Sequence, residues 1–413
     1  VRTAVGPDGA PVDQRRFAAA SKGSALVVSR VDLLYAGQNR GALRVVDGSV
    51  TFDRSAEHFG RLSGLTVVAA PEDLPTREGG RLTPAGWEVQ VWAGLRLTGR
   101  SGVSLPESLL DHQGDPVLDH QGEPIVTGAA VVPAGLATLD AMVPVGVFPL
   151  EAAQVDAFGT VGVDAWDRSM VLAADLLTET LEWPGPFTSV QAAVEDLVRR
   201  TFPNVSCEFV GTTHPCPTAS YERDASPLRI IREAAAAVGC FARFDGLGRF
   251  VWSPEPDLGT AQPVATFTDG DGLVDLTATV TSSGVHNSWT VVGSNPATPD
   301  VEIVATVVDD TPGSPTQWGG PFGRRPKPAV RMEMVDTQAK ADDAVRAMRA
   351  AELGFGVALD VEVVPHLLVE PGDAVTLRRL AAGVDGVALV DLQTIELGPG
   401  GMRLDCRARQ VAL

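Results

Sequence analysis

The 413-residue chain carries 52 acidic against 33 basic side chains, a formal charge of -19, with 44% hydrophobic and 21% charged residues. This is the profile of a soluble globular protein of about two to four domains, long enough to bury a core without disulfides or metals. Its acidity excludes a footprint that neutralises nucleic-acid phosphates or docks on an anionic membrane, and no apolar run approaches the roughly 18 residues of a membrane span.

In chain order, residues 1–23 are polar and aperiodic and read as an N-terminal arm. They contain no apolar core of a secretion signal, so synthesis in the cytoplasm without export is expected. Residues 24–182 form a β-rich region. Leu26-Val27-Val28, Val31–Tyr35, Gly48–Phe52 and Gly64–Val68 read as short strands between turns. Trp87–Gly94 alternates large apolar with polar residues, the mark of a strand with one buried face. Val143–Phe148 and Val161–Trp166 follow, and so many strands imply a barrel or sandwich. Within this region a double turn repeats, Asp111-His112-Gln113-Gly114-Asp115-Pro116 and Asp119-His120-Gln121-Gly122-Glu123-Pro124. Its Gly and Pro predict a protruding loop over 105–126, with His112 and His120 as interface candidates rather than metal ligands.

Residues 183–262 change class, to a compact α+β unit. Trp183-Pro184-Gly185-Pro186 breaks the chain, and Thr188 or Ser189 caps a helix to about Arg200. Asn204–Tyr221 is a strand-turn segment. Ser226 is placed to cap a second helix with Pro227 in its first turn, Gly239 stops it, and a hairpin turns at Asp245-Gly246. From 263 to 413 strands return, with a Pro/Gly loop at 311–328 and a helix at 337–353 capped by Thr337. The fold class is therefore α+β, mainly β.

The residues show no pattern for catalysis. HExxH, GxSxG and a P-loop are all missing, and Asp269-Gly270-Asp271-Gly272 lacks the spacing and terminal Glu of a calcium loop. Cys207-x8-Cys216 does not have zinc-finger spacing and reads as two thiols on a hairpin, or as a disulfide formed after assembly. Cys240 and Cys406 read as buried thiols. No cofactor, metal or catalytic residue is assigned, and the chain is expected not to be an enzyme.

Three stretches carry a resemblance. Leu368-Val369-Glu370-Pro371-Gly372-Asp373-Ala374-Val375 resembles the PGD turn near the end of phage tail hub and baseplate hub proteins. The helix-hairpin over 226–252 is similar to the central unit of those hubs, and His286-Asn287-Ser288-Trp289-Thr290-Val291-Val292-Gly293 resembles their N-x-V-x-V-x-G strand. A closer likeness, to minor tail proteins of phages of GC-rich Gram-positive bacteria, lies in Val46–Ser55 and in the loop Ser314–Pro326. The resemblance implies two β-barrel-like hub domains, 24–182 and 263–413, flanking the smaller unit. It also implies a homotrimer whose six barrels adapt a sixfold tail tube to a threefold tip. The implied partners are a distal tail protein, a tape-measure protein and a fibre or spike protein, with DNA passing through the lumen without specific binding. Trp318, Phe322, Arg324 and Arg325 are interface candidates on this reading, the arginine pair being either an anchor or a solvated stretch. The implied location is the virion tail tip. Rival readings are the hub of a contractile injection machine or gene-transfer particle, a tip-borne peptidoglycan hydrolase, and a host-binding adsorption protein acting through 105–126.

Overall fold

The structure, a computed structural model, describes residues 25–76, 79–97, 104–108, 126–131, 138–156, 159–295, 301–332, 335–352, 356–398 and 400–409. The N-terminal arm and the double turn with His112 and His120 lie outside the described residues.

The first β region contains β1 (Ala25–Tyr35), β2 (Gln38–Asp53), β3 (Gly60–Val68), β4 (Trp87–Leu97), β5 (Ser104–Ser108), β6 (Val126–Val131), β7 (Thr138–Val155) and β8 (Thr160–Trp166). Among the described residues, strands β5 and β6 pair only with each other. The others run β1-β4-β7-β8-β3-β2 and close into a barrel through β1–β2 pairing. Closure removes the free edges that make an open sheet prone to aggregate.

Several of the expected short strands are parts of longer ones. Leu26–Val28 and Val31–Tyr35 belong to one strand that pairs without interruption from Ala25 opposite Leu97 to Tyr35 opposite Trp87. The polar residues between them do not break it, because Ser29 Oγ donates to Leu397 O at 2.9 Å and Arg30 bonds Asp32 at 2.8 Å. Gly48–Phe52 is the end of β2. Val143–Phe148 is the middle of β7, which pairs with β4 up to Pro149 and with β8 from Leu150 onward.

The chain then forms α1 (Ser169–Ala174), β9 (Leu181–Trp183), α2 (Val190–Thr201), β10 (Cys207–Phe209), β11 (Ala219–Tyr221), α3 (Pro227–Ala237), β12 (Cys240–Phe244) and β13 (Phe250–Pro254). Ser189 caps α2 as expected, its Oγ accepting from Ala192 N at 3.2 Å. Ser226 does occupy the cap position of α3, but its side chain makes no cap bond, so the helix starts on the preset backbone of Pro227 instead. The unit has its own core of Val194, Ile230, Trp183, Tyr221 and Trp252. The hairpin expected to carry Cys207 and Cys216 is not present: β10 runs parallel to β13, and Cys216 follows the Ser189–Pro215 bridge. All four cysteines are free thiols, Cys240 and Cys406 being buried.

The second β region opens with β14 (Pro263–Asp269) and β15 (Gly272–Val280). After an inserted unit it resumes with β19 (Gly356–Val363), β20 (Ala374–Arg379), β21 (Val384–Glu396) and β22 (Met402–Arg409). Their order β21-β20-β14-β15-β19-β22 closes through β21–β22 into a second barrel. In β22 the alternation is clean: Met402, Leu404 and Cys406 are buried between exposed Arg403, Asp405 and Arg407. The two barrels are joined edge to edge by β2–β21 pairing, Ser49–Asp53 opposite Leu392–Glu396.

The inserted unit holds β16 (Ser288–Ser294), β17 (Glu302–Val308), β18 (Val330–Met332) and α4 (Gln338–Glu352). Its separate core is Trp289, Val291, Ala305, Val335, Ala341 and Val345. Thr337 Oγ1 accepts from Lys340 N at 3.4 Å at the start of α4, as expected. Gly293 is required by packing, since a Cβ there would stand 2.0 Å from Val335 O.

Candidate functional site

The central α+β unit is locked onto the first barrel by its hairpin. Asp245 Oδ1 accepts from Leu247 N at 3.0 Å and Arg249 N at 2.8 Å, which shapes the turn. Gly246 then lies flat on β7, because a Cβ would sit 2.0 Å from the carbonyl of Pro144. Arg168, just before α1, ties three parts together. It donates to both Glu88 oxygens at 2.8 and 2.7 Å, to Gly248 O at 2.7 Å, and stacks over Phe202 at 5.6 Å. A bidentate pair of this kind, with both side chains mostly buried, fixes orientation as well as distance.

The 54–59 loop of the first barrel is the docking plate for the rest of the unit. Arg232 donates to Ala56 O at 2.6 Å, His58 Nδ1 meets Ser169 Oγ at 3.1 Å, and Phe59 packs edge-on to Phe241 at 5.6 Å. Beneath it Asp167 accepts from the N–H groups of Gly60 and Ser169, each at 3.1 Å, and from the Ser169 hydroxyl. Burial pushes its carboxyl up to about 6 against the pull of those bonds, and burial lowers His58. The order of groups matters for chemistry. Ser169 bonds the carboxylate directly and is itself buried, so the imidazole does not stand between acid and hydroxyl as a nucleophile relay requires.

Arg54 reaches from the end of Val46–Ser55 to the second barrel. It stacks on Phe241 at 4.1 Å, pairs with Glu255, and lies so close to Gly372 that a Cβ there would be 2.6 Å from its Nη1. Burial lowers its pKa, opposed by Glu255 and Asp391. Gly372 has φ +98°, the left-handed region that glycine tolerates. In the PGD turn Asp373 accepts from Glu370 N at 2.9 Å, Gly372 N donates to Val390 O at 2.7 Å, and Arg243 reaches Glu370 at 3.5 Å. Burial raises the Asp373 carboxyl. Arg54, Arg243, Glu370, Gly372 and Asp373 line a cleft of about 400 Å³ between the hairpin, the PGD turn and β7. Val46–Ser55, the helix-hairpin and the PGD turn, apart in sequence, therefore meet at one junction.

The 311–328 loop is a second site. It is irregular, as its prolines and glycines predict, but two buried polar residues pin it. Asn287 Nδ2 donates to Thr316 O at 3.0 Å and Gly323 O at 2.8 Å, and its Oδ1 accepts from Arg325 N at 2.8 Å. Asp309 accepts from Ser314 Oγ at 2.6 Å, Thr316 Oγ1 at 2.7 Å and Thr311 N at 3.2 Å. Burial raises that carboxyl, but the hydroxyl bonds outweigh it and the net shift is downward. On this frame Arg324 lies over Trp318 at 5.6 Å and Arg325 over Phe322 at 4.2 Å. The four candidates of this loop are thus gathered into two braced cation–ring pairs, while His112 and His120 lie outside the described residues.

Arg54, Arg168, Asp167, Asn287 and Asp309 were not singled out from the sequence as site residues. Arg54 and Asn287 lie within stretches that carry the resemblance and Asp309 shortly before one, whereas nothing in the sequence pointed to Asp167 or Arg168. Among the described residues, no group of three or more His, Cys, Asp or Glu side chains could hold a metal, and no helix is long and apolar enough to cross a membrane.

No family model matches the sequence, and no curated protein does. The fold is shared with solved tail proteins. A tail protein from Neisseria meningitidis superposes with a TM-score of 0.56 at 12% identity, over 92% of this chain and 97% of that one. The 43 kDa tail protein of prophage MuSo2 from Shewanella oneidensis gives 0.53 at 13%, over 92% and 98%. A prophage tail protein from Listeria monocytogenes gives 0.52 at 9%, over 93% and 95%.

Proposed function

We propose that the chain is a structural hub of a phage tail, assembled as a homotrimeric ring at the tail tip. The observation that carries this is the pair of closed barrels joined edge to edge through β2–β21, in a fold shared with tail proteins over nearly the whole chain. Three such chains set six barrels side by side. That is the geometry needed to join a sixfold tube to a threefold tip, with a distal tail protein above, a tape-measure protein within and a fibre or spike protein below. On this reading 24–182 and 263–413 are the ring-forming regions, and 183–262 faces the tip.

The role is mechanical. The junction around Arg54, Arg168 and Gly246 ties the barrels to the central unit. DNA passes through the lumen without specific binding, and the charge of -19 keeps phosphates from adhering to the wall. The chain has no catalytic part in this scheme, in keeping with the burial of Ser169 on Asp167. Zymography on peptidoglycan tests that point, and clearing by the purified protein would overturn it. The hub assignment is tested by localisation: antibody labelling should decorate the tail tip, and labelling of the capsid or of no particle would refute it.

A further inference from the structure

The two barrels repeat one another strand for strand. In chain order β14, β15, β19, β20, β21 and β22 have the same neighbours as β1, β2, β3, β4, β7 and β8. Only β14 is reversed, lying parallel to β20 where β1 is antiparallel to β4. The match extends to register. β7 slips against β8 between Leu150 and Ala152, and β21 slips against β22 between Val390 and Leu392. Leu150 faces Ala165, which faces Leu62, which faces Val50. Along the same path Val390 faces Cys406, which faces Leu359, which faces Ala278. Ala278 therefore stands in the second barrel where Val50 stands in the first. Likewise Ala152–Asp156 of β7 stands where Leu392–Glu396 stands in β21.

The joint within the chain uses one edge from each barrel, Ser49–Asp53 of β2 opposite Leu392–Glu396 of β21. Their counterparts, β15 in the second barrel and β7 in the first, are left over. Among the described residues, β15 meets β14 only at Gly272 and Leu273, and beyond that it pairs with β19 alone. β7 meets β4 as far as Pro149, and beyond that it pairs with β8 alone among the described residues. A strand with one open edge is a template for a further strand. The side chains agree. At the existing joint Val50 and Ile395 face each other and have no exposed surface. At the open edges their counterparts are Ala278, exposed, and Val155, half-buried. Beside them Val280 is 54% exposed where its counterpart Phe52 is buried.

We infer that β15 of one copy pairs with β7 of the next, antiparallel, with Thr277–Thr281 opposite Ala152–Asp156, in the register that joins β2 to β21 within the chain. Thr279 then faces Gln154 as Thr51 faces Thr394, whose hydroxyls lie 3.1 Å apart. Ala278 and Val155 cover each other as Val50 and Ile395 do. The inference rests on the ring reading above and supplies its contact. Each barrel gives one edge and receives another, so the contact is head to tail, the type that closes into a ring when the rotation fits. Joints within and between chains then alternate around six barrels.

The test is cross-linking of the full chain. Thr279→Cys/Gln154→Cys puts thiols at directly opposite positions, with Cβ atoms about 4.5–5.5 Å apart and within reach of a disulfide. Thr279→Cys/Ala152→Cys is offset by two residues, at about 7–8 Å, beyond that reach. On mild oxidation the matched pair should run as a covalent trimer on a non-reducing gel. The offset pair, and the wild type with its own free thiols, should run as monomers. Val280→Asp changes a side chain that one chain leaves exposed, so the fold should keep its melting temperature in dilute solution. In mass photometry it should need about tenfold or more higher concentration to associate. If the wild type is trimeric but the matched pair does not cross-link, or the offset pair links equally well, or Val280→Asp associates as readily, this joint is wrong and the hub reading stands. A wild type that stays monomeric at every concentration removes both.

Discussion

Replacing Asn287 with alanine should open the 311–328 loop. The side chain has no exposed surface, and it bonds two carbonyls and one N–H, at Thr316, Gly323 and Arg325. Each buried group left without a partner costs about 1–3 kcal/mol, so with partial relaxation the loss should be about 3–5 kcal/mol. The inserted unit has a small core around Trp289 and Val345, so a loss of this size falls on local rather than global stability. Trypsin reads the opening directly. Arg325 and Lys327 both precede proline and resist cleavage, so within the loop only the Arg324–Arg325 bond is susceptible. Asn287→Ala should be cut there far faster than wild type, at an unchanged rate elsewhere. Asn287→Asp should behave no better, because it turns a donor facing two carbonyls into an acceptor. Cleavage at the wild-type rate, with stability within about 1 kcal/mol, would show that the loop is not held from beneath.

Three further outcomes are expected. Ser189→Ala should cost about 1 kcal/mol in urea unfolding by removing the α2 cap, whereas Ser226→Ala should be near neutral; equal losses would contradict the cap assignment. Gly246→Ala should destabilise by about 1–3 kcal/mol or more and expose the junction to proteolysis, because its Cβ meets a backbone oxygen that cannot swing aside; a neutral result would mean the hairpin is not seated on β7. The third concerns Asp167, whose carboxyl is raised in the folded state from 3.8 to about 6. Between those values the folded chain binds the extra proton, so this group's contribution to stability grows as pH falls from 7 to 4 by about 2 kcal/mol, and approaches about 3 kcal/mol only below the unfolded value. Asp167→Asn should lack that component, and a wild-type-minus-variant difference independent of pH would refute the shift.

The helices were legible where local chemistry sets them: Ser189 before α2, Pro227 in α3 and Thr337 before α4 act within one turn of their own position. The 25–35 strand was not, because Ser29 and Arg30 look like a break until Leu397 and Asp32 supply their partners. The barrels close through strands adjacent in sequence, β1–β2 and β21–β22, but their remaining order, such as β1–β4 and β3–β8, and the β2–β21 joint depend on pairings from about 50 to more than 300 residues apart, which periodicity does not encode. The same holds at the sites. Trp318, Phe322, Arg324 and Arg325 were singled out because their loop carries the resemblance. Asn287 and Asp309 look like ordinary polar residues beside strands, and only burial makes them the loop's foundation. Arg54 was visible as part of Val46–Ser55, but its reach to Phe241 and Gly372 belongs to the assembled fold.

The most direct measurement is the symmetry of the protein, in isolation and in place, from class averages of the purified chain and of intact tail tips. The account predicts a threefold ring with a near-sixfold outline, found at the tip. A stable monomer at every concentration, missing from tail tips, would contradict it.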